Sequence, residues 1–205
     1  MITKLAIFDF DGTISNSPKP EEGIGRWEKL KGVKFTHDDW WGSSESLDTN
    51  VFNFIFYKNV VNTLNREKSN PNTLVIILSS RVEKLRPYIK KILKQNGLSV
   101  KSLELKSDER TKGDKILELI DKFPALKQID VYDDRDKEIK SYLSIKDQIP
   151  ENIKFNIYVV NNGNINLFNS DINEDESIYD KTNKLCVKKI LIQLKKQINQ
   201  ILVNL

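Results

Sequence analysis

The chain has 205 residues with 33 Lys+Arg against 29 Asp+Glu, a formal net charge of +4, and only one Cys and one His. That length is ample for one domain with a sizeable core, and the charge excess is milder than in dedicated nucleic-acid binders. Cys186 alone excludes an intramolecular disulfide and a cysteine zinc cluster, and His37, read as a surface-loop residue, makes His-based triads and facial metal sites poor prospects.

In chain order, Lys4 to Phe8 reads as an apolar strand that stops abruptly at Asp9-Phe10-Asp11-Gly12-Thr13. A Pro- and Gly-rich loop runs from Gly12 to Gly25, and an insert bearing Trp27, Trp40 and Trp41 continues to Asp48. Phe52, Ile55, Phe56, Val60 and Leu64 recur at helical spacing and predict a helix over Val51–Asn65. Leu74–Leu78 is a continuous apolar strand ending in Ser79-Ser80-Arg81. A helix follows over Arg81–Asn96, with Gly97 as its C-terminal signal and Pro87 kinking or restarting it. Ser99–Leu105 is the third strand, Thr111–Phe123 a helix stopped by Pro124, and Ile129–Tyr132 a strand running into Asp133-Asp134. Lys137–Leu143 is a short helix, and Asn152–Val160 alternates as a fifth strand before the turn Asn161-Asn162-Gly163-Asn164. Asn169–Ser177 reads as an acidic loop. Asp180–Leu205 is an amphipathic helix that packs on the sheet or pairs with a partner, and the sequence does not choose between them. No basic-then-apolar leader opens the chain and no apolar run reaches membrane-spanning length, so a reducing, cytoplasmic setting without membrane contact is expected.

Strands alternating with helices predict an α/β fold with a parallel sheet, whose ligands bind at the carboxyl ends of the strands. The acidic and hydroxyl motifs all fall at those ends. Alternation sends Asp9 and Asp11 the same way, and two converging carboxylates call for a cation. Mg²⁺ suits oxygen ligands of this kind, and a carboxylate is also a competent nucleophile towards phosphorus. An EF-hand is excluded, because a strand precedes the motif and Pro20 stands at the twelfth loop position. Ser79 offers a hydroxyl to a phosphate oxygen or simply caps the next helix. Thr111 and Asp114 predict a capping box, with Lys112 and Lys115 as candidate cations at that helix start; the apolar pattern of Ile116, Leu117 and Ile120 favours Lys112. Asp136, Lys137 and Glu138 read as a solvated charge run. The three tryptophans either stack on a base or bury in the insert's own core.

Asp9-Phe10-Asp11-Gly12-Thr13, Ser79-Ser80-Arg81, Lys112 and Asp133-Asp134, in that order, resemble the motifs of the haloacid dehalogenase (HAD) superfamily of phosphohydrolases. Ser80 stands where Gly is common. Ser17-Pro18, Trp27, Trp40-Trp41-Gly42, Ser46-Leu47 and Tyr132-Asp133-Asp134-Arg135 resemble, more narrowly, the Swiss Army Knife RNA repair-like HAD branch, with Glu138 in place of an expected His. The Asp-Asp-Arg ending is also similar to the phosphatase half of polynucleotide kinase-phosphatases.

The resemblance implies a Rossmannoid sheet of order 5-4-1-2-3 flanked by helices, with Asp9 on the central strand. It implies a catalytic core over 1–160 with a cap-like insert at about 14–50, and a C-terminal extension over 161–205. It further implies a Mg²⁺-dependent phosphatase in which Asp9 is the nucleophile and Asp11 the acid and base. Ser79 and Lys112 steady the phosphoryl group, Gly12, Thr13, Ser80, Arg81 and Arg135 bind substrate, and Asp9, Asp11 through its main-chain carbonyl, Asp133 and Asp134 hold the metal. Nucleotide or polynucleotide phosphate ends are the implied substrates. A small-metabolite phosphomonoesterase and a catalytically silent binding module, self-associating through the C-terminal helix, are the rival readings. No Gly-x-x-x-x-Gly-Lys-Ser/Thr run is present, so the sequence carries no P-loop kinase.

Overall fold

The structure, a computed structural model, describes residues 1–168. The acidic loop expected at 169–177 and the amphipathic helix expected at 180–205 lie outside the described residues. A six-stranded sheet is ordered β3-β2-β1-β4-β5-β6. Its strands are Lys4–Phe8 (β1), Thr73–Val82 (β2), Ser102–Lys106 (β3), Gln128–Asp133 (β4), Lys154–Asn161 (β5) and Asn164–Leu167 (β6). The first five are parallel, and β6 adds an antiparallel edge through the hairpin at Asn162-Gly163. The sheet thus continues past residue 160, into the stretch expected to belong to the C-terminal extension.

Central position explains the composition of β1. Leu5, Ala6, Ile7 and Phe8 are all essentially inaccessible, because helices cover a parallel sheet on both faces. The helices are Pro20–Lys31 (α1), Lys58–Ser69 (α2), Arg86–Gln95 (α3), Lys112–Lys122 (α4) and Asp136–Ser144 (α5). Helix α1 falls where the sequence reads as loop; Pro20 begins it at a position that needs no N–H, Glu21 and Glu22 suit its first turn, and Gly32 ends it at φ 70°.

Two expected helices are corrected. The helix of residues 51–65 begins only at Lys58, because the chain before it is committed elsewhere. Asn16 donates its N–H to the Ile55 carbonyl, Ile55 donates to the Asn16 side chain, and Tyr57 donates to the Ile14 carbonyl. These bonds close the two ends of the insert into a neck, and tertiary pairing overrides the helical spacing. The helix expected from Arg81 starts instead at Arg86. Strand β2 continues to Val82, a 3₁₀ turn spans Glu83–Leu85, and Pro87 then sits in the first turn of α3.

Within the insert Trp40 is core: it is 3% exposed, its indole N–H donates to the Pro18 carbonyl, and its ring meets Phe35 and Phe52 edge-on. Gly23 of α1 leaves room for it, since a Cβ there would run into the indole ring. Trp40→Ala is expected to cost about 3–5 kcal/mol through the cavity left behind. A thermal melt should show a midpoint lower by on the order of 10 °C for a chain of this size.

Candidate active site

Residue Asp9 leaves the end of β1 with its N–H bonded to the Tyr132 carbonyl, at 2.9 Å, so the nucleophile candidate is tied to the neighbouring strand end. Its carboxylate is 5% exposed. Oδ1 accepts from Lys112 Nζ at 2.6 Å, while Oδ2 is buried with no hydrogen-bond partner. Lys112 donates as well to Asp133 Oδ2 at 2.7 Å, and Tyr142 adds its O–H to that same oxygen at 2.9 Å. Ligand oxygens of Asp9, Asp133 and Asp134 lie within 4.8 Å of one another.

Local structure sets each of these groups. The capping box of Thr111 and Asp114 starts α4, so Lys112 lies in its first turn and points back over the strand ends. Gly113 lets α5 approach: its N–H donates to Ser141 Oγ, and a Cβ would press on the Ser141 carbonyl. Lys115, the alternative lysine, pairs instead with Asp108 and Glu118 on the surface. Gly12, at φ +82°, turns the chain beside Asp134, where a Cβ would collide with that carboxylate. Thr13 donates to Asp134 Oδ1 at 3.3 Å.

Burial pushes Asp9 well above the usual carboxylate range, against the pull of Lys112, and the charges on Asp133 and Asp11 add to the push. Lys112 is driven in the other direction from a buried amine, upward, because Asp9 and Asp133 outweigh its burial. We read the group as a cation bound between two carboxylates. Asp134 is pushed up to about 6 by burial and by Asp133. Tyr142 is raised well above its ordinary value by burial and by Asp133 and Asp9, so it remains a donor.

The sequence-derived site divides in two. Asp9, Gly12, Thr13, Lys112, Asp133 and Asp134 are brought together. Asp11 is not among the converging acids: Arg81 holds both its carboxylate oxygens at 2.8 and 2.9 Å. Ser79 is buried on β2 and accepts the Arg81 N–H. Ser80 and Arg135 line a cleft of about 260 Å³ with Ser79, Lys112, Glu138 and Ser141. Glu138 is a correction. The charge run predicts a solvated side chain, yet Glu138 is 5% exposed, because the third residue of α5 faces back across the strand ends to accept from Ser80 Oγ at 3.3 Å. Tyr142 carries no motif in the sequence; its spacing from Glu138 and Ile139 along one face of α5 is the available signal.

The sequence model of HAD domain family 1 in Swiss Army Knife RNA repair proteins matches residues 17–184. The chain belongs to this family. The matched span begins after Asp9 and Asp11, so the first motif stands just ahead of it. No curated protein sequence matches. Among solved structures, the HAD domain of effector protein Lem4 from Legionella pneumophila, an inactive mutant, superposes with a TM-score of 0.53 at 16% identity, covering 80% of this chain and 88% of that one. That likeness is one of fold. A Pnkp1/Rnl/Hen1 complex aligns at 18% identity with a TM-score of 0.49, and this chain spans 80% of itself but only 47% of that chain. A haloacid dehalogenase-like hydrolase from Streptococcus pneumoniae aligns at 17% identity with a TM-score of 0.43, over 70% of this chain and 80% of that one. Family membership places the HAD domain among hydrolases that are in the main phosphatases and generally use Mg²⁺. No helix among the described residues is long and apolar enough to cross a membrane.

Proposed function

We propose that this HAD domain is a Mg²⁺-dependent phosphatase that works through an aspartyl-phosphate on Asp9, with nucleotide or polynucleotide phosphate ends as substrates. One observation carries the reading: a buried carboxylate whose Oδ2 has no partner stands against a buried lysine and within ligand distance of two further carboxylates. An all-oxygen donor set with an orphaned buried oxygen fits Mg²⁺, held by Asp9, Asp133 and Asp134. Bound there, the ion would neutralise charge on the phosphoryl oxygens.

The residues themselves supply the rest. Asp9 attacks phosphorus, and the bond from phosphorus to the leaving oxygen breaks as the bond to the Asp9 oxygen forms. For Asp11 to give a proton to the leaving alkoxide, one of its oxygens must first part from the Arg81 guanidinium that grips both and take up a proton. Asp11 then takes a proton from water, which attacks phosphorus and releases the Asp9 carboxylate with inorganic phosphate. Lys112 holds Asp9 in line and offsets the charge that builds on the phosphoryl oxygens, with the Ser79 hydroxyl beside it. Arg135 and Ser80 would meet the substrate at the cleft wall.

The family's own description names RNA repair proteins, which supports a nucleic-acid end as substrate. The cleft also shares Lys106, Asp108 and Glu109 with an open groove of about 1120 Å³ between the insert and the loop before α4. The groove is open rather than sealed, but its lining carries Asp38, Asp39, Glu45, Glu83, Asp108 and Glu109 against Lys84 and Lys106, so the nucleic-acid reading rests on the family description and not on this surface. The test is phosphate release, with and without Mg²⁺, from oligonucleotides carrying a 3′ or 5′ phosphate, from mononucleotides and from an aryl phosphate. Selective turnover of an oligonucleotide end is expected. Turnover of small esters alone would move the reading to metabolism, and silence on all of them to a binding module.

Metal binding should also depend on pH with a defined sign. The folded pKa of Asp134, about 6, exceeds its ordinary value of 3.8, so the metal-free fold binds the extra proton between those limits. Its contribution to stability therefore falls as pH rises through that window. Mg²⁺ competes with the same proton. The rise in melting temperature on adding Mg²⁺ should be large at pH 7.5 and should shrink as pH falls below about 6. An equal rise at pH 5 and pH 7.5 would remove Asp134 from the ligand set.

A further inference from the structure

Two grooves share helix α3 as a wall, and their charges are opposite. The one beside the insert is lined by six acids against two lysines. The other, of about 520 Å³, lies between α3 and β3, the edge strand of the sheet. Arg86, Lys90, Lys94 and Lys101 line it, and among the described residues no carboxylate does. The chain as a whole has 33 cationic and 29 anionic side chains, so four to none in one concavity departs from its average surface.

The spacing of these cations is regular. Arg86, Lys90 and Lys94 recur every four residues, so they form one row along α3 at intervals of about 6 Å along its axis. Ile89, Ile92 and Leu93 seat the helix on the core and leave Lys90 and Lys94 exposed. Lys101 adds a fourth cation from the loop before β3. Arg86 is partly spent: it binds Glu83 through Nε and Nη2, and Nη1 donates to the Leu103 carbonyl at 2.6 Å. That bond occupies a backbone acceptor of the edge strand and disfavours an added strand as the occupant. Lys90, Lys94 and Lys101 take part in no salt bridge among the described residues.

The floor is apolar, with Leu93, Leu98 and Leu103, and no aromatic ring lines the groove on which a base could stack. Evenly spaced cations without a stacking platform fit a ligand of regularly repeated charge and ask nothing of its bases. A concave site also suits a strand better than the flat face of a bilayer. Strand β3 leads from this groove to the active-site cleft: Lys101 and Leu103 line the one, Leu105 and Lys106 the other, over about 17 Å of extended chain. Glu104, the one acid of β3, alternates to the face opposite Leu103 and so turns away from the groove.

We propose that the groove between α3 and β3 holds the phosphodiester backbone of a single nucleic-acid strand, whatever its sequence, while the end of that strand lies in the cleft. The inference takes from the phosphatase reading only the place of the phosphate end. The grip of the groove itself needs no turnover.

The experiment uses the full chain and measures binding of a long unphosphorylated single-stranded oligonucleotide across a range of salt, beside turnover of an aryl phosphate. Lys90→Gln, Lys94→Gln and Lys101→Gln are combined; glutamine keeps the helix propensity of lysine, so α3 should persist. At roughly 0.7 per lost phosphate contact, the slope of log K against log salt should flatten by about 2, and affinity at about 0.1 M salt should fall roughly a hundredfold. The loss should be the same for strands of different sequence, and aryl phosphate turnover should match the wild type. A control variant makes the same charge change at Lys29, Lys127 and Lys146, exposed residues outside the groove, and should bind nearly as the wild type does. Equal weakening in the control would mean that binding follows net charge, and would overturn the proposal. So would a wild type that does not bind the oligonucleotide, or a groove variant with wild-type affinity and salt slope. Loss of binding to phosphatidylserine vesicles in the groove variant, with oligonucleotide binding unchanged, would assign the groove to a membrane and overturn it as well. Groove-dependent binding by a wild type inactive on the aryl phosphate would support this contact while removing the phosphatase reading.

Discussion

Asp9→Asn is expected to lower phosphate release by roughly 10⁴-fold or more, the scale of removing a nucleophile. Asparagine keeps the shape and can still accept from Lys112 through its amide oxygen, but it cannot form an acyl phosphate. The fold should survive. Burial already disfavours the charged form of Asp9, so a neutral side chain there relieves a desolvation cost while giving up part of the attraction to Lys112. The melting temperature should stay within a few degrees of the wild type. Intact-mass measurement after rapid acid quench should show a phosphate adduct on the wild type and none on the variant. Undiminished turnover in Asp9→Asn would end the aspartyl-phosphate mechanism.

Lys112→Met is the second large effect, and it acts on both stability and activity. The ammonium lies 2.6 Å from Asp9 and 2.7 Å from Asp133, with all three side chains buried. Without it, two carboxylates face each other with no counter-charge in a dry setting. Removing one partner of a buried ionic set costs about 3–5 kcal/mol. The melting midpoint should fall by on the order of 10 °C, and metal-dependent turnover should be lost. The lysine's folded pKa is raised, so its stabilising effect is complete below its unfolded value and fades only in strongly alkaline solution. Combining Asp9→Asn with Lys112→Met should recover part of the lost stability, because one of the stranded charges is gone. A strictly additive double variant would show that the two groups are not energetically coupled.

How much of this was legible in the sequence follows from where each residue sits. Strand β1 is legible, because an unbroken apolar run ending in acids has few alternatives. A capping box, a helical stripe and the family resemblance of Lys112-Gly113 together favour Lys112 over Lys115, and the structure turns Lys112 towards Asp9. Helix α1 was hidden by Pro20, Gly23 and Gly25, which read as loop signals. In place, Pro20 opens the helix and Gly23 admits the Trp40 ring. The helix expected from residue 51 failed for the opposite reason: the right spacing was outweighed by pairing with residues far away in sequence. Glu138 and Arg81 share that limit. A charged residue in a lysine-rich chain carries no local sign of burial, and only the assembled strand ends show that Ser80 faces one and Asp11 the other.

The neck formed by Ile14, Asn16, Ile55 and Tyr57 has an architectural consequence. A segment that leaves and re-enters the sheet at one hydrogen-bonded point is a closed excursion, so its length is nearly independent of the strands it interrupts. Doubling such a loop adds only about 0.6 kcal/mol of closure entropy. The sheet would accept a longer, shorter or unrelated excursion at this point. The conditions are that the replacement fills the place of Trp40 and Phe52 against the core and offers Arg81 two acceptors where Trp41 and Ser46 now stand. The neck is in that sense a grafting point, at which one sheet can carry different excursions.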